Sequence, residues 1–140
     1  MEDIKIRILN ENDYEQYFRL INIFRETSFT KDDFLSNLLN IGYNSNIYVL
    51  ELNNTLIGTG TILYEYKFIH NISKIAHIED ICIDNNHRGK NYGKTLIHYL
   101  INIAKKINCY KVTLYCTEEL ENFYNSCNMK KNGIQMAIYF

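Results

Sequence analysis

Apolar and polar residues alternate through Ile4, Ile6 and Ile8, the period of a strand with one buried face. The period then lengthens. Tyr14, Tyr17, Phe18, Ile21 and Phe24 recur at helical spacing behind Asn10-Glu11-Asn12-Asp13, a plausible helix start. Thr30-Lys31-Asp32-Asp33 has the form of a capping box ahead of Phe34, Leu35, Leu38 and Leu39, which predicts a second helix. Residues 47–52 and 56–66 read as strands on either side of Asn53-Asn54, a pair with turn chemistry, and so predict a hairpin. Gly58-Thr59-Gly60 inside the second of these marks a bend or bulge. Residues 67–73 read as a loop and 75–83 as a third strand of the group. The polar stretch 85–91 leads into Tyr92–Lys106, where Leu96, Ile97, Leu100, Ile101 and Ala104 share one helical face. A strand over 110–116, a short helix over 118–127 and a closing strand over 133–140 complete the pattern, with room for one more short strand near Lys130. The order β-α-α-β-β-β-α-β-α-β predicts an α/β (mixed α+β) fold: one mixed sheet with helices on both faces.

At 140 residues the chain has the size of a single domain, residues 1–140, without linker or repeat. With 46% hydrophobic residues it can bury a core without disulfides or a metal. A formal net charge of -1 argues against a nucleic-acid partner, which needs a basic excess, but leaves room for a small anion bound by a local cluster of donors. Cys82, Cys109, Cys116 and Cys127 form no C-x-x-C pair, so they read as free thiols in a reducing compartment, and no metal is expected. The N-terminal residues start directly in a strand pattern and no apolar run is long enough to span a bilayer, so a cytoplasmic protein without a membrane partner is expected.

The chemistry concentrates where the strand ending near Asp84 runs into His87-Arg88-Gly89-Lys90-Asn91-Tyr92-Gly93-Lys94 and then into a helix. N–H groups at a helix start lack internal acceptors and favour an anion. Gly89 and Gly93 let the backbone approach it, and Arg88, Lys90 and Lys94 add positive charge. This chemistry suits a phosphate or pyrophosphate, although two glycines alone would equally suit a plain basic helix cap. Neither G-x-x-x-x-G-K-[ST] nor G-x-G-x-x-G is present.

Arg88-Gly89-Lys90-Asn91-Tyr92-Gly93 resembles the pyrophosphate loop of the GNAT acetyltransferases, [QR]-x-x-G-x-[GA], with Asn91 in place of its first glycine. Asn tolerates positive φ best after glycine, so the loop can survive the change. His77-Ile78-Glu79-Asp80-Ile81, Cys109-Tyr110-Lys111, Phe123-Tyr124 and Lys67-Phe68-Ile69-His70 narrow the resemblance to the glucosamine 6-phosphate N-acetyltransferase family.

That resemblance implies a GNAT-type fold with a twisted, mostly antiparallel sheet whose central strands splay to bind acetyl-CoA. It implies acetyl transfer to the 2-amino group of glucosamine 6-phosphate by direct attack in a ternary complex, feeding UDP-N-acetylglucosamine synthesis. The main chain of Ile81, Cys82 and Ile83 would hold the pantetheine arm and thioester. Arg88, Gly89, Lys90, Asn91, Tyr92, Gly93 and Lys94 would hold the pyrophosphate. Tyr124 would stabilise or protonate the departing thiolate. The amino sugar would contact Glu79, Asp80, Lys67, Phe68, Ile69, His70, Lys111 and Tyr115. As successive strand residues, Glu79 and Asp80 should point to opposite faces. A homodimer with the C-terminal strand near its interface is implied too. Two positions depart from the family: Tyr115 replaces a carboxylate that orients the amine, and Tyr139 replaces an arginine that reaches the sugar phosphate. Acetylation of another amine (a peptide α-amine, lysine or polyamine) and a non-catalytic acyl-CoA-binding module are the alternatives.

Overall fold

The computed structural model describes residues 2–140. Strands β1 (Ile4–Ile8), β2 (Ser45–Leu52), β3 (Thr55–Tyr66), β4 (Lys74–Ile83) and β5 (Lys111–Leu114) form one sheet in the order β1-β2-β3-β4-β5. The first four pair antiparallel, and β4 pairs with β5 in parallel. The helical elements are α1 (Tyr14–Phe24), α2 (Lys31–Asn40), a single turn α3 (Ile69–Ile72), α4 (Tyr92–Lys106) and α5 (Glu121–Ser126). A parallel pair needs a crossover, and α4 supplies it between β4 and β5.

Local chemistry sets the boundaries. Asn53 and Asn54 take φ values of 48° and 66°, the positive values a two-residue hairpin turn needs to match the twist of its strands. The Thr30 hydroxyl accepts from the Asp33 N–H, and the Asp33 carboxylate accepts from the Thr30 N–H, closing the capping box of α2. Such a cap contributes about 1 kcal/mol. Arg7 grips both oxygens of the buried Asp13 at 2.8 and 2.9 Å and also reaches Glu51, which fixes the entry to α1 against β1 and β2.

Two apolar layers cover the sheet. Leu96, Ile97, Leu100 and Ala104 of α4 pack with Leu50, Ile62, Ala76 and Ile78. Leu20 of α1 and Phe34 of α2 pack with Val49, Leu56 and Cys82. Neighbours Val49 and Leu50 therefore serve opposite cores, as strand alternation requires. Truncating a fully buried residue such as Leu100 to alanine would cost roughly 2–5 kcal/mol.

Three expectations need correction. Residues 133–140 form no strand, and there is none near Lys130. Ile134, Met136, Ile138 and Tyr139 are exposed instead. A strand needs a neighbour to take its hydrogen bonds, and among the described residues this segment has none. The fifth strand is also shorter than the expected 110–116, ending at Leu114. Finally, the loop after β3 contains the turn α3, and that turn is left-handed: His70, Asn71 and Ile72 have φ values of 53°, 58° and 58°. Each L-residue held there costs roughly 1–2 kcal/mol.

Candidate functional site

Strand β4 changes character halfway along. Up to Ile78 it is paired on both edges, with β3 and, from Ile75↔Lys111 to Ile78↔Leu114, with β5. From Glu79 to Ile83 only the β3 edge is paired, so main-chain groups on the other edge are free to take a ligand. A bulge marks the change. Glu79 opposes Thr61 and Cys82 opposes Thr59, so Asp80 and Ile81 together face Gly60, with Asp80 at φ 51°. Gly60 permits this geometry. A Cβ there would lie 2.4 Å from Ile81 Cδ1 and 3.2 Å from Leu100 Cδ1. The bulge anticipated around Gly58-Thr59-Gly60 thus lies on the strand across from it.

Beyond the strand, the buried Asp84 organises the loop. Its carboxylate accepts from Arg19 Nη1 at 2.7 Å and from the Asn86 N–H at 3.0 Å, and Arg19 Nη2 donates to the Leu56 carbonyl. The Arg19 hydrogen bond holds the Asp84 carboxyl below the usual carboxylate range. Arg88 Nε donates back to the Ile83 carbonyl at 3.2 Å. Gly89 sits at φ 77° with open space where a Cβ would be, and Asn91 caps α4 at φ 65°. The first bond of α4 runs from the Thr95 N–H to the Asn91 carbonyl. The N–H groups of Tyr92, Gly93 and Lys94 therefore have no acceptor inside the helix. Arg88, Lys90 and Lys94 form no ion pair among the described residues. Free donors, an open backbone and uncommitted cations together suit a diphosphate.

Two cavities flank the bulge. The larger, about 1040 Å³, is lined by Glu79, Lys111, Tyr115, Cys116 and Tyr124, and on its far side by residues 129–135. Tyr124, on α5, is 9% exposed and packs edge-on against Phe123. Burial, with Cys116 and Cys127 adding, pushes its phenol up to about 12, so it keeps its proton at neutral pH and can donate it. The smaller cavity, about 620 Å³, opens between α1, α2 and the sheet, and Tyr17, Arg25, Asp33, Thr61 and Asp80 are among its polar residues. Burial, reinforced by the Asp80 charge, pushes Tyr17 up to about 12 as well.

A bulged strand, a parallel neighbour that leaves it at Ile78 and a basic loop at a helix start occur here within the region, residues 10–129, that matches the Acetyltransferase (GNAT) family. The chain belongs to this acetyltransferase family. It is 36% identical to glucosamine 6-phosphate N-acetyltransferase 1 of Dictyostelium discoideum over 99% of this chain and 92% of that protein. It is 31% identical to the glucosamine 6-phosphate N-acetyltransferase of Candida albicans over 93% and 89% of the two. Aligned regions in the Arabidopsis thaliana and rice sequences span 60% and 51% of those proteins. The crystal structure of glucosamine-6-phosphate N-acetyltransferase from Arabidopsis thaliana superposes with a TM-score of 0.93 at 34% identity, covering 99% of both chains.

In this GNAT chain the residues singled out from sequence divide into three groups. Glu79, Lys111, Tyr115 and Tyr124 share the larger cavity. Asp80 lines the other one, so the two acidic neighbours do part company, although through a bulge rather than a regular strand. The third group, Lys67, Phe68, Ile69 and His70, lines neither cavity. Lys67 is paired with Glu65 at 2.9 Å, and Phe68 is 93% exposed, with Ile69 exposed beside it. The His70 ring stacks on Tyr110 with centroids 3.9 Å apart, which brings the loop to the larger cavity's rim. His77, on β4, bonds Glu65 at 3.0 Å. All four cysteines are unpaired; Cys82 and Cys127 are buried, whereas Cys109 and Cys116 are half-buried. Among the described residues no three His, Cys, Asp or Glu side chains gather to hold a metal, and no helix is long and apolar enough to cross a membrane. Sequence reasoning passed over Arg19, Tyr17 and Arg25. Their only linear signal is membership of α1 or its end, and their partners lie far along the chain.

Proposed function

We propose that this chain transfers the acetyl group of acetyl-CoA to the 2-amino group of glucosamine 6-phosphate. The observation that carries it is kinship along the whole length, 36% identity over 99% of the chain, with a protein named for that reaction. The product would suit UDP-N-acetylglucosamine synthesis.

Acetyl-CoA supplies an acetyl group activated as a thioester. The open N–H groups at the start of α4, with Arg88, Lys90 and Lys94, would hold its pyrophosphate. The unpaired edge of β4 at Ile81, Cys82 and Ile83 would align the pantetheine arm and polarise the thioester carbonyl by main-chain hydrogen bonds. Glu79 and Asp80, on either side of the bulge, would bracket the acceptor amine, with Lys111 and Tyr115 lining the larger cavity beside Glu79. The amine attacks directly in the ternary complex. As the C–N bond forms and the C–S bond breaks, Tyr124 would give the proton on Oη to the departing sulfur, and the proton lost by the amine nitrogen would pass through solvent to restore the phenol. The high position of its pKa keeps that proton available across the neutral range.

A homodimer fits the C-terminal segment. Ile134, Met136 and Ile138 fall at every second position and are exposed, and β5 has a free outer edge. Sedimentation equilibrium should give twice the chain mass; a monomer at micromolar concentration would remove this part of the reading.

Thiol release from acetyl-CoA, measured against equal concentrations of glucosamine 6-phosphate, glucosamine, a peptide α-amine, lysine and a polyamine, tests the substrate. Glucosamine 6-phosphate should have the highest kcat/KM. A higher value for another amine would favour the second reading, which Tyr115 and Tyr139 motivate by standing where a carboxylate and an arginine were expected. Tight CoA binding without release from any amine would point to a non-catalytic module.

A further inference from the structure

Tyr139 stands where the resemblance implied an arginine, so the sugar phosphate lacks that partner. We infer that Arg25, at the end of α1, is the phosphate anchor of the acceptor, and that the acceptor lies across the smaller cavity with its amine toward Asp80. This rests on the glucosamine 6-phosphate reading and deepens it.

The chain has four arginines, and three are committed. Arg7 is held by Asp13 and Glu51, Arg19 by Asp84, and Arg88 belongs to the anion loop and donates to Ile83. Arg25 has no carboxylate within ion-pair distance among the described residues. Its guanidinium lies 5.6 Å over the Phe24 ring. A cation at a helix C-terminus is favoured by the helix dipole alone, and a solvated end charge is the plain alternative. The surroundings argue for more. Arg25 lines a cavity of about 620 Å³, within the usual range for small-molecule sites, whose acidic residues are Asp33 and Asp80. The Asp33 carboxylate already accepts from the Thr30 N–H. That leaves one uncommitted cation and one uncommitted carboxylate on the walls of a single cavity. An amino-sugar phosphate carries the complementary pair, an ammonium and a phosphate. A planar guanidinium matches phosphate oxygens in bidentate fashion, as an ammonium does not. The two lysines implied at the amino sugar fit the phosphate less well: Lys67 is tied to Glu65 and Lys111 lines the other cavity. Asp80 lies within Glu79–Ile83, the stretch of β4 with an unpaired edge, so its carboxylate would hold an amine at the strand that aligns the thioester.

Steady-state kinetics of the wild type, Arg25→Ala and Arg25→Lys with glucosamine 6-phosphate and with unphosphorylated glucosamine test this. Losing a charged hydrogen-bond partner should lower the ratio of the two kcat/KM values by about tenfold to hundredfold in Arg25→Ala, mostly through KM for the phosphorylated sugar. Arg25→Lys should fall between, and KM for acetyl-CoA should stay within about twofold. Inhibition of the wild type by inorganic phosphate, competitive with the amine, should weaken in parallel. An unchanged ratio in Arg25→Ala, or an equal loss on both sugars, overturns the assignment while leaving the proposed function standing. A wild type that does not turn over glucosamine 6-phosphate sinks that function, and this anchor with it.

Discussion

The two ends of the site are built from different materials. At the proposed donor end, from Ile81 to Lys94, the working groups are mainly main-chain: an unpaired strand edge and a helix start. At the proposed acceptor end they are side chains: Asp80 and Arg25, on β4 and at the end of α1. Main-chain groups depend on conformation, so Asn91 can stand in for glycine at φ 65° and the loop retains its shape. Side-chain groups depend on identity, so Tyr115 and Tyr139 cannot supply the carboxylate and arginine chemistry that the resemblance implied there. The donor end should therefore tolerate substitutions that keep its dihedrals, and the acceptor end should not.

The largest effect should come from Tyr124→Phe, which removes a proton donor without altering the backbone. We expect kcat to fall by about a hundredfold or more, with CoA affinity by calorimetry nearly unchanged. A kcat within about twofold, with chemistry rate-limiting, would take Tyr124 out of the mechanism. Next is the bulge. Gly60→Ala should destabilise the fold by roughly 1–3 kcal/mol in chemical denaturation, because its Cβ would meet Ile81 Cδ1 at 2.4 Å. Adding Ile81→Ala should recover part of that loss, and no recovery would mean that another contact governs.

Arg19→Ala should cost about 1–2 kcal/mol at pH 7, a modest figure because the Arg19 side chain is 45% exposed. The sign with pH follows from Asp84. Its carboxyl is depressed below 3.8 in the folded state, so the stabilisation is complete above that value and is lost as the pH falls through and below it. Wild type and variant should therefore converge only in acid; convergence between pH 5 and 8 would contradict the pairing. The smallest effect belongs to Asn91→Gly, which should change CoA affinity by no more than about twofold. A large gain would mean that Asn91 strains the loop.

The same contrast explains what could be seen in the linear sequence. Tyr92–Lys106 was legible to its boundaries because its apolar period and the loop before it are local features. So were the Thr30 capping box and the Asn53-Asn54 turn. The segment 133–140 misled because its alternation is real, whereas pairing requires a neighbour that a single chain does not supply. The Asp80 bulge was visible only indirectly, through the Gly60 opposite it. The Arg19–Asp84 pair and the cavity shared by Arg25 and Asp80 join residues 65 and 55 positions apart, and nothing in either local sequence announces the other.

The most direct test is the identity of the product. With acetyl-CoA labelled at the acetyl carbonyl carbon and glucosamine 6-phosphate, NMR should place the label on the 2-nitrogen of the sugar, one equivalent per thiol released. Label on another amine, on a sugar oxygen or on the protein, or thiol release independent of the sugar, would contradict the account.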